Sequence, residues 1–172
     1  MEPKIVQSDG MTFVGMVFYG NPFAGAGGWS EENEIGKLWG RFASYREKHE
    51  AQFKHIVNPE AEYEIHITTE TYEETKEYYV MVGVAVSEIE SLPLETFAKV
   101  FPPTTYAVFT LRGAQTMSNW SVDLYETWLP ASGYEQAHNY MFECYVAERF
   151  KGMDDPESEL DIYVPVRKKD GA

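Results

Sequence analysis

Two short stretches decide the fold: Tyr63-Glu64-Ile65-His66-Ile67 and, at an offset of 79, Phe142-Glu143-Cys144-Tyr145-Val146. Both read as strands, and both carry a glutamate in second place. Working outward, Thr12-Phe13-Val14 through Gly20 lies over Thr105-Tyr106-Ala107 through Gly113 at an offset of 93. Leu38-Trp39 through Phe42 lies over Leu124-Tyr125 through Trp128 at an offset of 86. The falling offset means only that the connections differ in length. A further strand closes each half, Tyr78 to Ile89 and Glu159 to Val166. Each half is therefore strand, helix, strand, strand. One such unit cannot bury both of its faces alone, so the two are expected to pack as one pseudo-symmetric α+β domain over 1–172. The expected architecture is a tandem βαββ repeat, roughly 1–92 and 93–172, with an antiparallel sheet and two main helices.

The helices are placed by periodicity. Ile35, Leu38, Trp39, Phe42 and Tyr45 recur at helical spacing, with Ser30 as the expected N-cap, Glu31, Glu32 and Glu34 at the positive end, and an end near Ala51. Trp120, Leu124, Tyr125 and Trp128 form the second stripe, capped by Ser118 or Asn119 and stopped by Pro130 and Gly133. The loop Asn21 to Gly28 is rich in Gly and Pro but lacks the Gly-Lys-Ser/Thr ending of a phosphate loop. Glu70 to Glu77 reads as a solvated acidic turn.

Fourteen Lys and Arg against 28 Asp and Glu leave a net charge of -14. That balance argues against a nucleic-acid binder, which needs a basic face, and against docking on an anionic membrane. A hydrophobic share of 44% with 15% aromatics excludes an acidic disordered tail. Cys144 is the single cysteine and can form no internal disulfide; the four histidines are scattered, so no metal or cofactor is expected. No 18-residue apolar run and no signal-like N-terminus is visible, which makes the cytoplasm the expected location.

Several blocks resemble a known family. Ile35-Gly36-Lys37-Leu38-Trp39-Gly40-Arg41-Phe42 is similar to the first-helix signature of the GyrI-like effector-binding family, which includes ligand-binding domains of multidrug-responsive transcription regulators of the AraC and MerR types. Thr104 to Phe109 resembles its mid-chain strand, and Leu124-Tyr125-Glu126-Thr127-Trp128-Leu129-Pro130-Ala131-Ser132-Gly133-Tyr134 its second helix and stop. Phe142-Glu143 and Glu159 to Val166 complete a match over nearly the whole chain. The resemblance implies a ligand groove between the halves and a strand glutamate, here Glu143, that meets aromatic cations. Because the family blocks begin within the first 20 residues, no DNA-binding module is expected.

The candidate site residues follow. Glu143 is costly to bury mid-strand without compensation, and a lipophilic cation would supply it. Glu64 is its counterpart in the repeat. Strand alternation puts His66 on the side of Glu64, Tyr145 on the side of Glu143, and Cys144 on the opposite face. Trp39 and Trp120 are candidate aromatic walls, Trp120 first because it opens its helix beside Arg112-Gly113-Ala114; Tyr106 and Tyr163 come next. Trp128, Tyr125 and Phe42 are read mainly as core. The function expected is a binding domain for amphipathic aromatic, cationic small molecules. One alternative is hydrolysis of cyclopropane-bearing alkylators by Glu143 and Glu64; another is a gyrase-inhibitor-like interaction module. A protein partner or a homodimer stays open.

Overall fold

The computed structural model describes residues 2–25 and 32–169, so Ser30 and the end of the Gly-rich loop lie outside the described residues. The chain forms two compact units, 11–101 and 1–10 with 102–172.

In the first unit, β2 (Met11–Gly20), β3 (Ala61–Thr68), β4 (Tyr78–Val86) and β5 (Phe97–Phe101) form an antiparallel sheet in the order β3-β4-β2-β5. Helix α1 (Glu34–Lys48) covers one face. Strand alternation sends Val14, Met16, Val80, Val82, Val84 and Val86 to that face, where they meet Ile35, Leu38 and Phe42 of α1. Each of those three helix side chains is at most 3% exposed, and such burial is worth about 1.5–3 kcal/mol apiece. The helix is capped by Asn33, whose Oδ1 accepts the Gly36 N–H at 2.8 Å. Glu34 in the first turn and Arg46 and Lys48 in the last suit the helix dipole. The expected extension to Ala51 is instead a tighter 3₁₀ turn, Glu50–Gln52. The acidic stretch forms a short helix α2 (Tyr72–Thr75), closed by Lys76 in the left-handed region at φ 57°.

The second unit sets β1 (Lys4–Ser8), β6 (Thr104–Arg112), β8 (Tyr140–Val146) and β9 (Glu159–Lys168) in the order β1-β6-β9-β8, again antiparallel, with β7 (Tyr134–Gln136) on the far end of β9. Ala107, Phe109, Leu111, Leu160, Ile162, Val164 and Val166 face the helical segment, where Leu124 is fully buried and Trp120, Tyr125 and Trp128 pack around it. That segment is not one regular helix. It runs α3 (Trp120–Val122), a wide π turn (Asp123–Trp128) and α4 (Leu129–Ala131). Pro130 has no N–H and its ring crowds the carbonyl four residues back, which a wider turn accommodates. Lys169 Nζ then donates to the carbonyls of Pro130 at 3.1 Å and Ser132 at 2.9 Å, a cation on the negative end of the segment.

Each unit thus holds strand, helix, strand, strand: β2-α1-β3-β4 in one, β6, the α3–α4 segment, β8 and β9 in the other. Two strands complete them. β5 pairs with β2, and β1 pairs with β6, so the compact units divide near 10 and 101 rather than at 92.

On the face of β9 turned from the helix, Arg149 grips Asp161 through both terminal nitrogens (2.5 and 3.1 Å) and reaches Glu159 at 2.9 Å through Nε. Arg112 meets the other Glu159 oxygen at 2.7 Å. Arg112 first, then Arg149, holds the Glu159 carboxyl below its ordinary range. A lowered carboxyl contributes stability that is present above its unfolded value and is lost as pH falls through the folded one. Acid unfolding followed by far-ultraviolet circular dichroism is therefore expected to begin at higher pH in Arg112→Met than in the wild type.

Gly15 faces Gly83 where β2 meets β4. A Cβ on Gly15 would lie 2.0 Å from the Val82 carbonyl oxygen, and one on Gly83 2.4 Å from that of Val14. Both obstacles are backbone, so the strands themselves would have to part. Gly15→Ala is expected to cost about 1–3 kcal/mol or more, read as a drop of several degrees in thermal midpoint; an unchanged midpoint would contradict this close approach.

Candidate functional site

The glutamates that anchor the repeat are both buried. Glu64 is 2% exposed and Glu143 8%. Their strands explain where they point. On β3, Tyr63 and Ile65 turn away from α1, so Glu62, Glu64 and His66 turn toward it. On β8, Glu143 lies opposite Ile162, a residue of the helix-side core. Each carboxylate therefore sits on the helical face of its own unit.

Glu64 is held by two nitrogens. Trp39 on α1 donates its indole N–H to Oε2 at 2.5 Å, and His66 Nε2 meets Oε1 at 2.7 Å. The His66 ring lies 5.5 Å from that of Tyr78, which Tyr72 meets edge-on at 5.8 Å. Two turns further along α1, Arg46 pairs with Glu62 at 2.5 Å. Among the described residues Glu64 has no Lys or Arg partner; its one ion-pair partner is the imidazole of His66.

In the second unit the Tyr145 hydroxyl donates to Glu143 Oε2. The Tyr145 ring stands edge-on to Phe150 at 4.7 Å. The side-by-side placement of Glu64 with His66, and of Glu143 with Tyr145, follows the alternation read from sequence. Cys144, between Glu143 and Tyr145, is buried and opposite Asp161 in the register, on the other face.

The remaining aromatic candidates divide by face. Trp39 reaches its glutamate directly. Trp120 is partly buried against the helix-side core, on the same side of its sheet as Glu143. Tyr106 and Tyr163 are not brought to that side. Their strands aim Ala107, Phe109, Ile162 and Val164 at the helix, which sends the tyrosines to the opposite face. There Phe142 stacks on Tyr163 at 4.6 Å, Tyr106 meets Phe142 edge-on at 5.4 Å, and the Tyr106 and Tyr140 hydroxyls are 3.1 Å apart. Burial pushes the Tyr163 phenol up to about 12 and raises that of Tyr106 further, so both are neutral packing groups. Tyr125, raised to about 12 by burial, is core as read. His66 carries a contact that sequence had placed on the right side without assigning it a role.

Known proteins share this arrangement of strands and helices. The structure of SAV2435 bound to tetraphenylphosphonium superposes with a TM-score of 0.71 at 15% identity, over 97% of this chain and 94% of that one. The integron cassette protein VCH_CASS2 of Vibrio cholerae gives 0.57 at 19% identity, over 97% of each chain. At such identities the likeness is one of fold, and it bears out the α+β antiparallel architecture. The transcriptional regulator BrlR of Pseudomonas aeruginosa is 30% identical over 167 residues, 96% of this chain and 56% of the regulator, so the chain spans about half the length of that relative. No helix among the described residues is long and apolar enough to cross a membrane. The family model described as Cass2, integron-associated effector binding protein, matches residues 4–166, and the chain belongs to that family of effector-binding domains.

Proposed function

We propose that the chain binds amphipathic aromatic cations, with Glu64 and Glu143 as counter-charges and Trp39 and Trp120 as apolar walls. The observation that carries this reading is the Glu64 carboxylate: 2% exposed, bonded by an indole and an imidazole, and without a Lys or Arg partner among the described residues. Burying a carboxylate costs several kcal/mol, and hydrogen bonds from an indole and an imidazole offset part of that cost. A bound cation cancels it. Aromatic walls add about 0.5–2 kcal/mol per cation–π contact and tolerate ligands of differing shape. The binding of tetraphenylphosphonium by a protein of the same fold supports the choice of ligand class. The chain would then sense or sequester such compounds, alone or for a partner.

Titration with tetraphenylphosphonium, followed by tryptophan fluorescence, tests the reading. Glu64→Gln and Glu143→Gln are each expected to weaken binding about tenfold, equivalent to 1.4 kcal/mol. Neutral triphenylphosphine oxide should bind weakly and ignore both substitutions. Equal affinity for the cation and the neutral compound would end the counter-charge reading. Turnover of a cyclopropane-bearing alkylator by the wild type, abolished in Glu64→Gln, would make the chain an enzyme instead.

A further inference from the structure

We infer that His66 and Trp39 are positioning residues for Glu64, and that a donor two residues beyond the strand glutamate is a device used in both units. The binding part of its test rests on the reading above; the rest does not. Glu64 presents one oxygen to each donor, Oε2 to Trp39 Nε1 at 2.5 Å and Oε1 to His66 Nε2 at 2.7 Å. An ionised carboxylate only accepts, so the imidazole must carry its proton on Nε2. The donors come from different elements, α1 and β3, so the carboxylate is fixed from two directions. The imidazole is itself braced by Tyr78.

The second unit repeats the spacing with different chemistry. Tyr145 follows Glu143 by two residues, lies on the same face of β8, and donates its hydroxyl to Oε2. A histidine in one unit and a tyrosine in the other thus occupy one geometric role. At 2% exposure, water cannot replace a lost donor at Glu64, so a carboxylate deprived of one is no longer held in place. The glutamate then remains, but its oxygens are no longer aimed where a cation needs them.

The repeat itself supplies the control. His66→Tyr installs the donor already used at the matching position, whereas His66→Phe differs from it by one hydroxyl. With tetraphenylphosphonium as probe at pH 7, His66→Tyr should bind within about twofold of the wild type. His66→Phe and Trp39→Phe should bind about tenfold more weakly, at thermal midpoints that show them folded. Wild-type affinity in His66→Phe, alongside weak binding by Glu64→Gln, would overturn the inference; so would a folded His66→Tyr as weak as His66→Phe.

If the wild type does not bind the cation, the preceding reading fails and nitrogen-15 spectra of the unliganded protein decide this one. The His66 ring should show its proton on Nε2, and the Trp39 indole proton should lie downfield and move upfield in Glu64→Gln. A ring protonated on Nδ1 alone, or an indole proton indifferent to Glu64→Gln, would overturn it. The same spectra serve if the His66 variants do not fold.

Discussion

A carboxylate that is 2% exposed on β3 is the constraint around which the first unit is arranged. Burying a carboxylate costs several kcal/mol, and two hydrogen bonds to a charged acceptor return about 1.5–3 kcal/mol each. With both donors in place the sum is close to balance. This has a consequence for α1. Trp39 reaches Glu64, and seven residues later Arg46 reaches Glu62. Two turns of helix rise about 10 Å while two strand residues span roughly 7 Å, so the two contacts together fix both the height and the angle of α1 on β3. The apolar stripe of Ile35, Leu38 and Phe42 supplies the adhesion, and the polar pair supplies the alignment.

The second unit meets the same requirement with other means. Its glutamate takes a hydroxyl from Tyr145, on its own strand. Its helical segment widens into a π turn around Leu124, Tyr125 and Trp128, and Lys169 secures the far end by gripping its last carbonyls. Both units thus bury a strand glutamate, and the donors that meet it differ. The supports can differ because a carboxylate oxygen is satisfied by any well-aimed N–H or O–H.

Alternation and repeat together made most of this legible. Tyr63 to Ile67 and Phe142 to Val146 already placed each glutamate beside the residue two along, and periodicity placed α1 and its core residues. What sequence could not show was mostly decided by partners distant along the chain. Phe97-Ala98-Lys99-Val100-Phe101 has no clean alternation and becomes β5 only because β2 offers it an edge. The cap of α1 is Asn33 rather than anything earlier among the described residues, since its side chain is the one aligned with the Gly36 N–H. The indole of Trp39 resembles any other core aromatic until α1 is laid on β3.

Tyr106 and Tyr163 show how composition misleads. Aromatics in an acidic chain suggest ligand walls, yet these two lie on the face of their sheet opposite Glu143, packed with Phe142. Parity along β6 and β9 decides this: with Ala107, Phe109, Ile162 and Val164 turned to the helix, residues 106 and 163 must turn away. The same discipline applies to the charge of -14. Glu34, Glu73, Glu90, Glu135 and Glu157 are exposed or half-buried and paired with Lys or Arg, where each pair adds little and salt screens it. Charge carries weight for recognition only where water is excluded, because the attraction between charges grows as the effective dielectric falls. By that criterion the acidity of the surface is background, and the counter-charges we propose are Glu64 and Glu143, each buried on the helical face of its own unit.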